Sequence, residues 1–385
     1  MKISTEKYLL YSSIFAVFTE AFFFNYIIDL KLFYLLILIN SVLLIKLKKI
    51  TINSYFLLLI GFFLVHGILA YLIIGIPINY MLSQVIGISI TGIYYYNFVS
   101  FFPKSELIKV YTKLSLYVSI VGYLLWALNI NLNDGERLQS IFKEPAHYAI
   151  VVIPACYYYL KQKKYLSFAT IFGTLVLSQS SIGYIGCFLM IVLPYFNFKR
   201  LTYLCILLPF ALGTFYLIYL KNPAVKLRFD DTYHSLSAVS TGKFAYETNQ
   251  STYALLSNAF VTKKNFESHP LGTGIGSHFY MHTYYYYYNM RPPSYLKVLK
   301  SDKINAPDAA SLFLRIVSEF GLFGLLFVIY FIYLLINAFS NTSLFFNQGL
   351  MIFFLLKLLR DGHYFPPEMF FFVWLLFYPK KVNHD

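Results

Sequence analysis

The chain has 385 residues, 58% of them hydrophobic and only 12% charged, with 31 basic against 17 acidic side chains. Soluble domains carry about a quarter charged residues, so this composition excludes an ordinary water-soluble globule and belongs to a membrane protein. The positive balance does not point to nucleic acid, because most basic residues stand in short clusters between apolar runs, the pattern of membrane orientation.

The first apolar run, 8–28, has no small-residue cleavage site and is too long for a signal peptide, so it reads as a retained span. Further spans are expected at 30–45, 55–75, 79–99, 107–129, 146–160, 165–179, 182–197, 201–220, 310–337, 344–360 and 368–379, about a dozen in all. The fold class is therefore all-α: a polytopic integral membrane protein of about twelve transmembrane helices with one large extracytoplasmic loop. Three parts follow: a membrane bundle over 1–220, a hydrophilic segment over 221–308 and a second bundle over 309–385. Cys156, Cys187 and Cys205 all lie in apolar runs, which predicts buried thiols and neither a disulfide nor a zinc site.

The clusters Lys46/Lys48/Lys49, Lys161/Lys163/Lys164, Lys199/Arg200 and Lys380/Lys381 all fall on one side of these spans. By the positive-inside rule both termini are cytoplasmic, and 131–145, 221–308 and 361–367 lie outside with five of the eight histidines, a sixth, His147, standing at the outer mouth of the bundle. The outer segment holds the run HPLGTGIGS from His269 to Ser277 and five consecutive tyrosines from Tyr284 to Tyr288. His278 and His282 have the spacing of helical metal ligands, but no acidic residue stands where a zinc-protease motif needs one, so no metal is expected. The tyrosines suit stacking on sugar rings or an interfacial aromatic belt equally well.

A charge inside a span costs about 2.5–3.5 kcal/mol on insertion scales, so each one needs a partner or a task. Pro145 suits the first turn of a helix and makes Glu144 its cap, with His147 in that same turn. Arg137, Glu144 and His147 thus gather within about three helical turns of the interface. Arg315 and Glu319 share a helix face one turn apart, where they can simply neutralise each other. Arg360, with Asp361, His363 and Tyr364, ends the next span on the outer side. Glu20, in the first run, has no assigned task.

The run Arg137-x-x-Ser140-x-Phe142-x-Glu144-Pro145-x-x-Tyr148-Ala149 resembles a motif of bacterial O-antigen polymerases, within a wider group of lipid-linked glycan polymerases and ligases. The serine- and glycine-bearing break Ser178 to Gly183, the turn Pro270-Leu-Gly272-x-Gly274-x-Gly276 and the span opening Ser311-Leu-Phe-Leu-Arg315-x-x-x-Glu319-x-Gly321 are similar to that group in the same order. Ligases of the group carry a His-Asn pair before the last of these; here the stretch is Asn305-Ala-Pro-Asp308-Ala, which favours polymerase.

The resemblance implies transfer of a growing glycan from undecaprenyl diphosphate onto a new lipid-linked repeat unit, in surface polysaccharide synthesis at the outer face of a bacterial inner membrane. It implies Arg137, Arg315 and Arg360 on the diphosphate, because arginine stays charged when buried and binds phosphate bidentately. The backbone amides of Gly272, Gly274 and Gly276 would join them as an anion nest, unless the run is merely a flexible turn. Glu144 is the first choice for the base, with His147, His363 and Asp308 behind it and Arg137 counted as catalytic too; Glu319, His269, Tyr148 and Tyr364 are expected at the substrate. The implied partners are lipid-linked oligosaccharides, membrane lipid and a chain-length regulator protein, with no nucleic acid and no cofactor. A ligase acting on lipid A-core is the nearer alternative, and a flippase or exporter of the same lipid-linked sugar the more distant one.

Overall fold

The computed structural model describes residues 4–25, 29–130, 137–195, 223–341 and 343–379, together with part of 209–221. Cys205, Glu136, Arg200, Lys199, Lys380 and Lys381 and most of the expected span 201–220 lie outside the described residues.

The described chain is mostly helical. In order come α1 (Thr5–Phe15), a short antiparallel hairpin of β1 (Phe23–Asn25) and β2 (Asp29–Lys31), α2 (Leu32–Leu47), α3 (Ser54–Ile74), α4 (Ile78–Phe101), α5 (Lys104–Ala127), α6 (Pro145–Lys161), α7 (Tyr165–Leu177) and α8 (Ser181–Val192). The 221–308 segment contributes α9 (Pro223–Ser235), α10 (Gln250–Ser268) and several shorter turns, and α11 (Leu312–Ser340), α12 (Phe345–Leu359) and α13 (Met369–Leu376) follow. Of these, α3, α5 and α11 are long and apolar enough to cross a membrane. Their outward residues, such as Leu58, Leu72 and Leu326, are apolar and exposed, as expected where lipid rather than water is the solvent.

The first expected span is not one continuous helix. Its helical part ends at Phe18, Thr19 caps it by donating its hydroxyl to the Ala16 carbonyl, and the chain turns at Glu20 into the hairpin. Nor is 221–308 an open loop: α10 buries Tyr253, Phe260 and Val261, and Thr262 donates to the Leu314 carbonyl of α11 at 3.1 Å. The break at Ser178–Gly183 is as expected, with the Ser180 side chain receiving the Gly183 N–H at the start of α8.

The core is organised on α6. Pro145 occupies its first turn, where a missing N–H costs nothing, and nearly every residue from Tyr148 to Tyr157 is buried. Gly349 of α12 lies so close that a Cβ there would stand 3.0 Å from the Pro154 carbonyl oxygen, which lets the two backbones nearly touch. Tyr157 then donates to Gln348 at 2.7 Å across the same contact. This packing brings the start of α6 beside the end of α12.

α11 is two helices, not one. Gly321 sits at φ 56°, ψ −126° and breaks it one residue past Phe320. The turn 270–276 fills the break: Leu322 N–H donates to the Pro270 carbonyl at 2.8 Å, and Gly274 N–H to the Glu319 carbonyl at 2.9 Å. A Cβ on Gly321 would lie 2.0 Å from that Pro270 oxygen, and one on Gly272 2.3 Å from the Glu319 carbonyl oxygen. Both positions therefore admit only glycine.

Candidate active site

Helix ends build the site. The starts of α6, α11 and α13 and the end of α12 meet around a cavity of two adjoining lobes, about 220 Å³ and about 440 Å³. The lobes share a wall made of Glu20, Lys31, His147, Pro307, Asp361 and His363. The smaller lobe adds Arg315, Tyr364 and the apolar surfaces of Phe142 and Val151; the larger adds Lys143, Glu144, Asn305, Asp308 and Arg360.

Arg315 is the best-fixed cation. It is 2% exposed, donates from Nε to Glu319 at 3.1 Å and from Nη1 to the Gly362 carbonyl at 2.9 Å, and lies 4.1 Å from the Tyr364 ring centroid. Glu319 is fully buried and saturated: besides Arg315 it accepts from Gly276 N–H at 2.9 Å, His278 N–H at 3.3 Å and the Tyr364 hydroxyl at 2.8 Å. Removing any of these donors would leave part of a buried charge unpaired, so the set holds the guanidinium rigidly at the cavity wall.

The loops on either side of Arg315 are laced together. Asp361 N–H donates to the Ala310 carbonyl at 3.2 Å and Ser311 Oγ to the Leu358 carbonyl at 2.7 Å. Asn305, Ala309, Ala310 and Asp361 all have positive φ, strained for residues with a Cβ. A Cβ on Gly362 would fall 1.8 Å from the Asp308 carbonyl oxygen, so that residue must be glycine.

A second ionic set spans the shared wall. His147 Nδ1 bonds Glu20 Oε1, its Nε2 lies 3.9 Å from Asp361 Oδ2, and Asp361 pairs in turn with the fully buried Lys357. Lys357 also reaches Glu368 at 3.4 Å. Burial pushes the Asp361 carboxyl up, but Lys357, His147 and His363 outweigh it and hold the group well below the usual carboxylate range. Burial and the neighbouring Glu319 carboxylate push the Tyr364 phenol well above its ordinary value.

Asp308, Asp361 and His363 each offer one ligand atom, and the three atoms lie within 4.8 Å of one another. Among the described residues they form a set that could hold a metal ion, though Lys357 already supplies positive charge to Asp361 and His363 stands 3.9 Å from Asp308. His278 and His282 are no such set, since both His278 nitrogens are committed to Ser318 at 2.8 Å and Asn258 at 2.9 Å.

The structure thus brings Glu144, His147, Asp308, Arg315, Arg360, His363 and Tyr364 to one cavity, from segments far apart in the chain. Glu144 is at the cap position of α6 but makes no side-chain capping bond, and its exposed carboxylate lines the larger lobe.

Other expectations need correction. Arg137 is exposed and outside the lining of both lobes. Gly272, Gly274 and Gly276 do not offer a vacant nest: their turn packs into the break in α11, and the anion held by Gly276 is Glu319 of the same chain. Glu319 itself, enclosed and saturated, has no lone pair left for a substrate and acts on Arg315 instead. Tyr148 is fully buried, with its hydroxyl on Ser119 at 2.8 Å and Thr174 at 2.6 Å, so it packs the core. His269 lies outside the cavity lining, and burial lowers its pKa.

Glu20, Lys31, Lys357, Asp361 and Glu368 enter the site without having been assigned a role from sequence. The signal was present for two of them: Glu20 is a carboxylate in an apolar run, and Lys357 stands four residues before Asp361 inside another. No family model, curated protein or solved structure matches the chain.

Proposed function

We propose that this protein is a polytopic membrane glycosyltransferase of the O-antigen polymerase kind. It would carry about twelve spans, act at the outer face of the inner membrane and move a growing glycan from undecaprenyl diphosphate to a lipid-linked repeat unit. The observation that supports this reading is the cavity itself: Arg315 held by Glu319, Tyr364 and Gly362 in one lobe, with Arg360 and Glu144 lining the adjoining one.

Glycosyl transfer from a lipid diphosphate builds negative charge on the departing oxygen. Cations already locked in place stabilise that charge without reorganising, and the locked Arg315 meets this requirement. The apolar surfaces beside it suit the start of a lipid chain. The larger, more polar lobe suits the acceptor sugar, whose hydroxyl needs a base within hydrogen-bond reach.

The ligase reading keeps one supporting observation. The histidine absent from 305–309 in sequence is supplied in space by His363, 3.9 Å from Asp308. A gel of surface glycan from a host lacking only this protein separates the readings. Core lipid capped by a single repeat unit means polymerase. Uncapped core with long chains left on the carrier means ligase. Repeat units trapped on the inner face mean a flippase and overturn the proposal.

A further inference from the structure

The carboxylates lining the cavity differ in what their oxygens are already doing. Asp361 has Lys357 and His147 at Oδ2 and the His363 N–H at Oδ1. Asp308 receives the Ala310 N–H at Oδ1 and faces His363 with Oδ2. Glu368 pairs with Lys357 and borders the smaller lobe only, and Glu144 is exposed on the larger lobe only. Glu20 borders both lobes, its Oε1 is fixed by His147, and its Oε2 is buried without a hydrogen-bond partner among the described residues. Leaving a buried carboxylate oxygen unpaired is costly, a cost that a donor arriving with the substrate would remove.

From this we infer that Glu20 is the general base of the transfer, with His147 as its positioning residue; the inference rests on the polymerase reading above. The acceptor hydroxyl gives its proton to Glu20 Oε2 while its oxygen forms a bond to the anomeric carbon of the donor sugar. The bond from that carbon to the diphosphate breaks, and its electron pair leaves on the diphosphate oxygen beside Arg315. The products are the lengthened glycan, the lipid diphosphate and a neutral Glu20 carboxylic acid, which returns its proton to water.

A base on the wall shared by the two lobes reaches both reactants where they meet, which neither Glu144 nor Glu368 can do from one lobe alone. The turn at Thr19 and Glu20 makes this placement available: it takes the carboxylate out of α1 and beside the first turn of α6.

The test uses full-length protein in nanodiscs with a lipid-diphosphate-linked repeat unit as both donor and acceptor. Glu20→Gln is expected to slow elongation by about 10²–10⁴-fold, the usual contribution of a general base, while the affinity for the lipid-linked donor stays within about threefold. Glu20→Asp is expected to retain slow elongation and to shift the acid limb of the pH–rate profile. Elongation by Glu20→Gln at the wild-type rate would overturn the assignment and leave the polymerase reading standing. If Glu20→Gln fails to accumulate, Glu20→Asp decides alone, and an acid limb identical to wild type overturns the assignment. Wild-type protein that binds the donor but never elongates it would remove the polymerase reading and this base together.

Discussion

Two histidine-bearing regions lie close together in this molecule and have opposite characters. His147 and His363 line an open cavity among Glu20, Asp308 and Asp361. His278 and His282, within the 221–308 segment, are buried with hydroxyl and amide hydrogen-bond partners: His278 between Ser318 and Asn258, His282 with Ser257 at 3.4 Å. Burial drives His278 well below its ordinary value, and burial with Lys303 brings His282 to about 4. The difference lies in the neighbours. Carboxylates at the cavity give histidine ionic contacts, while hydroxyls and amides within the 221–308 segment make it a brace. Glu319 connects the two regions, accepting the His278 N–H on one side and holding Arg315 on the other.

The sharpest way to break this contrast is Arg315→Ala. On the polymerase reading, elongation should fall by about 10²–10³-fold, as when one fixed donor to a developing anion is lost, and Arg315→Lys should restore little because it cannot make the same two bonds. Glycan length on a gel and rates in nanodiscs check both.

Gly362→Ala comes next. The clash with the Asp308 carbonyl should cost about 2 kcal/mol or more and loosen both site loops, seen as lower thermal stability together with lost activity.

The sealed region predicts a dependence on acid. A histidine whose folded pKa is depressed contributes its full stability above its ordinary value near 6.5, and that stability is lost as pH falls toward the folded value, about 4 for His282. Hydrogen exchange should therefore show α10 loosening between these limits, and His282→Asn should flatten that response.

Chelation tests the cavity's other capability. If Lys357 provides the countercharge at Asp361, EDTA should leave elongation within about twofold of the untreated rate, whereas a metal at Asp308, Asp361 and His363 would make it collapse. The smallest effect is expected from Arg137→Ala, about threefold or less, because that side chain is exposed and away from the cavity.

Much of the architecture could be read in the sequence, because the positions of helices follow from apolar runs punctuated by Pro145, Ser180 and Ser311. The site was legible where charge interrupted those runs, as at Arg315, His147 and Arg360. It was not legible where one motif served another. The Gly272–Gly276 run has the composition of an anion nest, and it does receive an anion, but one supplied by Glu319 from α11. Pairing across such a distance leaves no mark in local spacing. Arg137 misled for the reverse reason, since its place at the head of the motif carried it into the site on sequence grounds while its side chain is exposed and outside the cavity lining. Glu20 was conspicuous but had no visible partner, because His147 lies 127 residues away.

The lock between the 270–276 turn and the break in α11 bears on how the chain is made. Gly276 precedes Glu319 by 43 residues, so the turn leaves the ribosome well before the carboxylate it will receive. An unmatched glutamate entering an apolar environment would be costly at the moment of insertion. Here Arg315, one turn earlier on the same helix, and the partner amides, already synthesised, both precede Glu319, so the counterparts of this fully buried acid exist before the acid itself is made.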